Sequence, residues 1–189
     1  MQELKKLEHQ HSESATLVKY LVAPASINEN RPALSDTDAW LKRLEALPGK
    51  PNPEAGRRLF FHPRMALCAS CHRHSGRGNV VGPDLSLIGR QGDLKSVLKS
   101  ILEPNRDVAP QFFPTQLKLK DGTDFTGILL RSSNVDVFRD LTGQERVFKP
   151  EDIQLRVELK TSLMPAGLPS AITDEELRDL LAFLRDGAP

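Results

Sequence analysis

The residues in this sequence most able to do chemistry are Cys68-Ala69-Ser70-Cys71-His72. Cys68 and Cys71 are the only cysteines among 189 residues, and a histidine follows the second directly. Two thiols at this spacing can each form a thioether with one of the two vinyl groups on one edge of a porphyrin. The next residue then offers its imidazole to the iron as proximal ligand. Cys-x-x-Cys-His is the attachment signature of a c-type haem, and one copy specifies one covalent haem c (iron) per chain. With both cysteines so used, no disulfide framework is expected.

Parts of the same pattern serve other chemistry. A thioredoxin-like redox pair places Cys-x-x-Cys at the end of a strand that opens a helix. Here the pair follows the helical-looking Glu54–Phe61 and precedes Ser75-Gly76-Arg77-Gly78. A structural zinc site needs four ligands, so His62 or His74 would have to join Cys68, Cys71 and His72.

A six-coordinate haem iron needs a second axial ligand, and a methionine thioether raises the potential by favouring the ferrous state. Of three methionines, Met1 is terminal and Met65 lies too close to Cys68 to reach the opposite face of a ring. Met164, in Ser162-Leu163-Met164-Pro165-Ala166-Gly167, is the candidate, with Pro165 stiffening its loop. The other reading of Met164 is ordinary core packing. His62 and His74 are alternative ligands, and otherwise loop residues.

The elements that must position these groups can be read from composition and periodicity. The chain is 39% hydrophobic and 27% charged, with 26 basic against 25 acidic residues. That excludes a strong polyanion-binding signal, hence no nucleic-acid partner, and leaves room for one domain with an extension or two small ones. No apolar run approaches the roughly 20 residues of a membrane span, so no transmembrane segment is expected.

Residues 1–50 read as a helical N-terminal extension. Ala15–Val22 is short and weakly amphipathic. Ser35-Asp36-Thr37-Asp38 offers capping oxygens, and Trp40, Leu41, Leu44 and Leu47 follow at helical spacing until Pro48-Gly49. Trp40 suits a packing anchor better than a ligand-stacking role. Lys50-Pro51-Asn52-Pro53 reads as a linker, with Asn52 capping Glu54–Phe61 and Pro53 at its first position.

Gly56 inside that helix costs about 1 kcal/mol against alanine; it is either tolerated or allows another helix to approach. Leu94, Val97, Leu98, Ile101 and Leu102 mark a helix over 92–103, ended by Pro104. The period then changes to two. Leu117 and Leu119 alternate with polar residues in 115–120, and Val135 and Val137 alternate again. With strand-like 125–131 and 146–148, a fifth candidate strand at 153–159, and turns at Asp121-Gly122 and Thr142-Gly143, the pattern predicts an antiparallel β insertion over about 115–159. Thr173 and Glu176 form a capping box for a last helix striped by Leu177, Leu180, Leu181 and Leu184, with Gly187 as its stop.

Taken in order, the first helix, Cys68–His72, Gly82-Pro83-Asp84-Leu85, the Met164 loop and the last helix resemble class I cytochrome c. The resemblance implies a mainly α fold over 51–189, with the β insertion making it α+β overall. It places the Pro83 carbonyl as acceptor for the His72 imidazole, Leu85 on the haem face, and Arg90 where several members hold a propionate. Gly56 and Phe60 stand where that family crosses its first and last helices.

Together with Ser100-Ile101-Leu102-Glu103-Pro104, Leu119-Lys120-Asp121-Gly122 and Gly127-Ile128-Leu129, these segments are similar over about 53–186 to the planctomycete-type haem-binding domain. That domain usually ends long secreted proteins carrying a dehydrogenase-like propeller. Residues 1–50 would then be the tail of a preceding helical region.

The expected function is one-electron transfer through a haem with His72 and Met164 as axial ligands. The chain itself would not be an enzyme. A linked or partner dehydrogenase would be its donor and another electron carrier its acceptor. A haem-based sensor or ligand-binding module with a labile Met164 is the alternative. Residues 53–110 carry nine basic against five acidic side chains, so Arg64, Arg73 and Arg77 could steer an acidic partner to the haem edge. Covalent haem is attached outside the cytoplasm, yet Met1–His9 lacks the apolar core of a secretory signal. The expectation is therefore an extracytoplasmic (periplasmic or secreted) fragment of a larger chain, exported by a segment not in this sequence.

Overall fold

The computed structural model describes residues 29–186, and from Pro32 onward these form one compact unit. The expected stretch at 15–22 and Gly187 lie outside the described residues.

Local chemistry starts each long helix. Asp36 accepts the Ala39 N–H at 2.9 Å and opens α1 (Thr37–Glu45). Asn52 accepts the Ala55 N–H at 3.1 Å and opens α2 (Pro53–Phe60), with Pro53 first. The motif itself forms α3 (Cys68–Cys71), followed by a two-stranded ribbon of β1 (Arg73–His74) and β2 (Arg77–Gly78). After α4 (Ile88–Gln91), Asp93 caps α5 (Leu94–Leu102) through the Ser96 N–H at 2.6 Å. The capping box before α6 (Asp174–Asp186) closes in both directions. Thr173 Oγ1 accepts from the Glu176 N–H at 3.1 Å, and Glu176 Oε2 accepts from the Thr173 N–H at 2.8 Å.

The apolar stripes of α1, α2, α5 and α6 meet in one core around Trp40, Phe60, Leu98 and Leu177. Trp40 is 1% exposed, so α1, on the far side of the expected linker, packs into the same core as the helices after it. The linker is held down as well: Arg178 Nη1 donates to the Pro48 carbonyl at 3.0 Å, and the Asn52 N–H donates to Asp179 at 2.8 Å. Gly56 marks where α2 and α6 cross. A Cβ there would fall 2.0 Å from the Asp179 carbonyl oxygen, so of its two readings the close approach holds.

The sheet contains β3 (Pro114–Leu119), β4 (Asp124–Ser132), β5 (Asp136–Asp140), β6 (Glu145–Phe148) and β7 (Ile153–Glu158). All pairings are antiparallel, in the order β6-β5-β4-β3-β7. Gly122 and Gly143 take φ of +89° and +87° in the hairpin turns, a region open to glycine at little steric cost. Leu117 pairs with Phe125 and Leu129 with Phe138, which gathers alternate side chains into a second core with Leu119 and Phe148.

This sheet corrects the expected fold class. With 36% helix beside a five-stranded antiparallel sheet, the protein is α+β, and the mainly α class I cytochrome c architecture does not describe it. The physical reason is that residues 114–158 bury a core of their own instead of decorating a helical one, while α3 and α4 are single turns of four residues. Among the described residues, no helix is long and apolar enough to cross a membrane.

Candidate functional site

The approach to the motif is tightly turned. Ala66 and Leu67 both sit at positive φ, 49° and 54°, a left-handed region uncommon for residues with a Cβ. They swing the chain from Met65 into the single turn of α3. The His72 N–H closes that turn on the Cys68 carbonyl at 2.8 Å, setting the two thiols three residues apart on one face.

The loop after β2 folds back over the motif. Asn79 N–H donates to the Ala69 carbonyl at 3.0 Å, Gly82 N–H to Cys71 at 2.7 Å, and Leu85 N–H to Arg73 at 2.8 Å. At Gly82 the backbone lies flat against the imidazole: a Cβ would fall 2.6 Å from His72 Cε1. Only glycine leaves that space. Next to it, His72 Nδ1 donates to the Pro83 carbonyl at 2.9 Å. A carbonyl can only accept, so Nδ1 carries the hydrogen and Nε2 is left with its lone pair. Burial pushes the His72 pKa below its ordinary value, against the opposing pull of the Pro83 bond. Burial thus favours the neutral imidazole, the form that ligates a metal.

Both thiols are free. Burial pushes Cys68 up to about 11 and raises Cys71 as well. A thioredoxin-type pair needs a thiolate stabilised by nearby positive charge; these cysteines are shifted the other way, and α3 follows no strand of a βαβ unit. The zinc arrangement is not assembled either. His74 is buried between Phe60 and Phe183, its ring 4.4 Å from that of Phe183, with Nδ1 3.0 Å from Ser75 Oγ. His62 Nδ1 accepts the N–H groups of Arg64 and Met65. Among the described residues, no three His, Cys, Asp or Glu side chains gather as a metal site.

Met164 is half-buried against the helical core, as are Cys68, Ala69 and Leu85. Its loop is tied to the turn after α5, where the Ser162 N–H donates to Asn105 Oδ1 at 2.8 Å, and is braced within itself by the Met164 N–H donating to Ser162 Oγ at 3.0 Å. The structure thus brings Cys68, Leu85 and Met164 to one apolar cluster, and Cys71, His72, Gly82 and Pro83 to one hydrogen-bonded loop. Arg90 lies exposed on α4. Arg64 and Arg77 are exposed, Arg73 is half-buried, and the Arg77 guanidinium lies 4.7 Å over the Phe61 ring.

Two residues that the sequence does not single out join the sheet to this site. Arg139 on β5 donates to the Val80 carbonyl at 2.9 Å, and Asn79 Nδ2 donates to the Thr142 carbonyl at 2.8 Å. Arg139 carries no local signal, being one charged residue in an alternating strand. Asn79 sits beside the Gly82-Pro83 segment, and that adjacency is the one clue to it. No protein-family model matches the chain, and no curated protein is significantly similar to it.

Proposed function

We propose that this protein is an electron carrier built on one covalently attached haem c. The observation that carries the reading is the His72 imidazole, backed by glycine and tied through Nδ1 to the Pro83 carbonyl. It stands directly after two free thiols at thioether spacing. Cys68 and Cys71 would hold the haem through thioethers to its two vinyl groups, each thiol adding its S–H across one double bond without an oxidant. Nε2 of His72 would be the proximal ligand and the Met164 thioether the distal one. The Pro83 hydrogen bond holds the ring plane and increases the basicity of Nε2. Held by these residues, the haem would supply one-electron iron chemistry.

The chain's own residues supply burial and docking. Leu85 and Met164 border the apolar cluster, and the basic surface of 53–110 favours an acidic redox partner, with a linked or partner dehydrogenase as donor. The likeness to the planctomycete-type haem-binding domain lies in motif order, with the α+β fold as observed here. Covalent attachment places the working protein outside the cytoplasm. The test is expression with an export signal in a host that matures c-type cytochromes, followed by acid–organic extraction. Colour should stay on the chain, Cys68→Ala with Cys71→Ala should abolish it, and the ferric protein should show a weak near-infrared sulfur-to-iron band that Met164→Ala removes. Extraction of all colour from the matured parent overturns the proposal.

A further inference from the structure

The sheet is attached to the helical part at a telling place. The segment 78–83 is bonded on one side to the motif, through Asn79 to Ala69 and Gly82 to Cys71, and ends in the carbonyl that accepts the His72 hydrogen. On its other side it is held by the sheet, through Arg139 to the Val80 carbonyl and Asn79 Nδ2 to the Thr142 carbonyl.

The sheet side is rigid. Asp140 gathers the Thr142 hydroxyl at 2.6 Å, the N–H groups of Thr142 and Gln144, and Arg146 Nε at 3.0 Å, which locks the β5–β6 turn. Gly143 in that turn is packed so closely that a Cβ would fall 1.9 Å from Asn79 Oδ1. Asn79 Oδ1 meanwhile accepts the Val80 N–H at 2.8 Å, so the one side chain braces both the loop and its contact. Val81 beyond it is 4% exposed. A loop fixed at both ends and buried in the middle has little freedom to move the Pro83 carbonyl.

We infer that the five-stranded sheet is a positioning device for the axial histidine: Arg139 and Asn79 hold the 79–83 loop so that Pro83 keeps its hydrogen bond to His72, and thereby set the reduction potential. Neither is a ligand; both act through Pro83. The inference rests on the haem reading above, and its direction follows from it. Loosening the loop weakens the Nδ1–H···O contact, makes Nε2 a poorer donor, stabilises the ferric state less and raises the potential.

The test uses the full haem-loaded chain with Arg139→Met, Arg139→Lys and Asn79→Ala. At a fixed solution poise, Arg139→Met and Asn79→Ala should each raise the reduced-to-oxidised ratio roughly two- to fivefold, less than the 10–100-fold effects seen when a direct outer-shell partner is removed. The His72 ring N–H proton resonance should move upfield in both. Arg139→Lys, which keeps a donor, should restore most of each signal.

Asn79→Ala approaches the contact from the loop, so it decides the matter if Arg139→Met does not fold. Folded, haem-loaded variants with the parent's potential and ring N–H resonance would overturn the inference. Should the parent carry no covalent haem, the electron-carrier reading fails separately. The positioning claim is then decided in the haem-free protein by nitrogen-15 shifts of His72. A loss of the fixed Nδ1–H tautomer in the two variants supports it, and an unchanged tautomer overturns it.

Discussion

The helical part and the sheet reach close packing by opposite means. The helices press backbone on backbone: α2 meets α6 at Gly56, and α4 meets α6 at Gly89, where a Cβ would fall 2.2 Å from the Arg185 carbonyl oxygen. The sheet instead fills its interior with rings, Phe125, Phe138 and Phe148 standing 4.7 to 5.9 Å apart in edge-on and tilted pairs. Chemistry-bearing residues follow the same division. The thiols lie on the single-turn α3, the imidazole directly after it and the thioether in the loop between β7 and α6, whereas the polar side chains of the sheet mainly satisfy one another. The lesson is that the helical part carries the reactive groups and the sheet restrains the one loop where rigidity matters.

The largest expected effect tests the helical side of this contrast. Gly56→Ala drives a methyl into the Asp179 backbone, which cannot yield as a flexible side chain would. The expected loss is at least about 3 kcal/mol, at the upper end for overpacking. Trp40 is the only tryptophan and sits in this core, so its emission should shift to the red. Gly143→Ala, which strains the β5–β6 turn at its positive φ and the turn's contact with Asn79, should leave that emission unchanged. Equal effects of the two substitutions would mean that the two regions are not packed independently.

Phe138→Ala tests the other side. Phe138 is fully buried at the centre of the ring cluster, and truncation of a buried phenylalanine is worth about 3–5 kcal/mol. Amide exchange should accelerate throughout β3, β4 and β5 while Trp40 emission keeps its parent wavelength at low denaturant. A simultaneous loss of both signals would show one cooperative core.

A smaller effect belongs to the last helix. Thr173→Ala removes half of the reciprocal cap and should lower stability by about 1 kcal/mol, read as a shift in the urea midpoint with no change in slope.

The features legible in the sequence were those whose cause is local. In the five-stranded sheet, β3 and β7 fall where apolar residues alternate, because the pleat repeats every two residues, whereas the two-residue β1 and β2 carry no such pattern. The caps at Asn52 and Thr173 involve neighbours three positions away. Cys68–His72 and the Gly82-Pro83 loop were equally visible, their spacing being dictated by chemistry within a dozen residues. What was not legible depends on distance along the chain. Leu117 and Phe138 in alternating strands do not announce that they close a separate core, which is why the sheet was expected as an insertion on a mainly α fold and an α+β fold with its own sheet core was found. Asn79 and Thr142 are 63 positions apart, and nothing at either end specifies the other.

The smallest expected effect concerns acid, and it separates the two regions by pH. Asp140 is held well below the usual carboxylate range, first by the Thr142 hydroxyl and then by Arg146 and the N–H groups of Gln144 and Thr142. Its ordinary value is 3.8, so the folded form binds its proton less readily than the unfolded chain does. The stabilisation is therefore complete above about pH 5 and fades as pH falls through 4 toward the lower folded value. The consequence is local: protonation withdraws an acceptor from the β5–β6 turn, so the Thr142 and Gln144 amides should exchange faster between pH 4 and pH 2. Asp140→Asn should remove this pH dependence there. Asp93, also held low, chiefly by the Ser96 N–H, caps α5, so the first-turn amides of α5 should keep their own acid sensitivity in Asp140→Asn. If the substitution flattens the response of α5 as well, the hairpin and the helical core titrate as one unit, and the division between the restraining sheet and the reactive helical part does not hold.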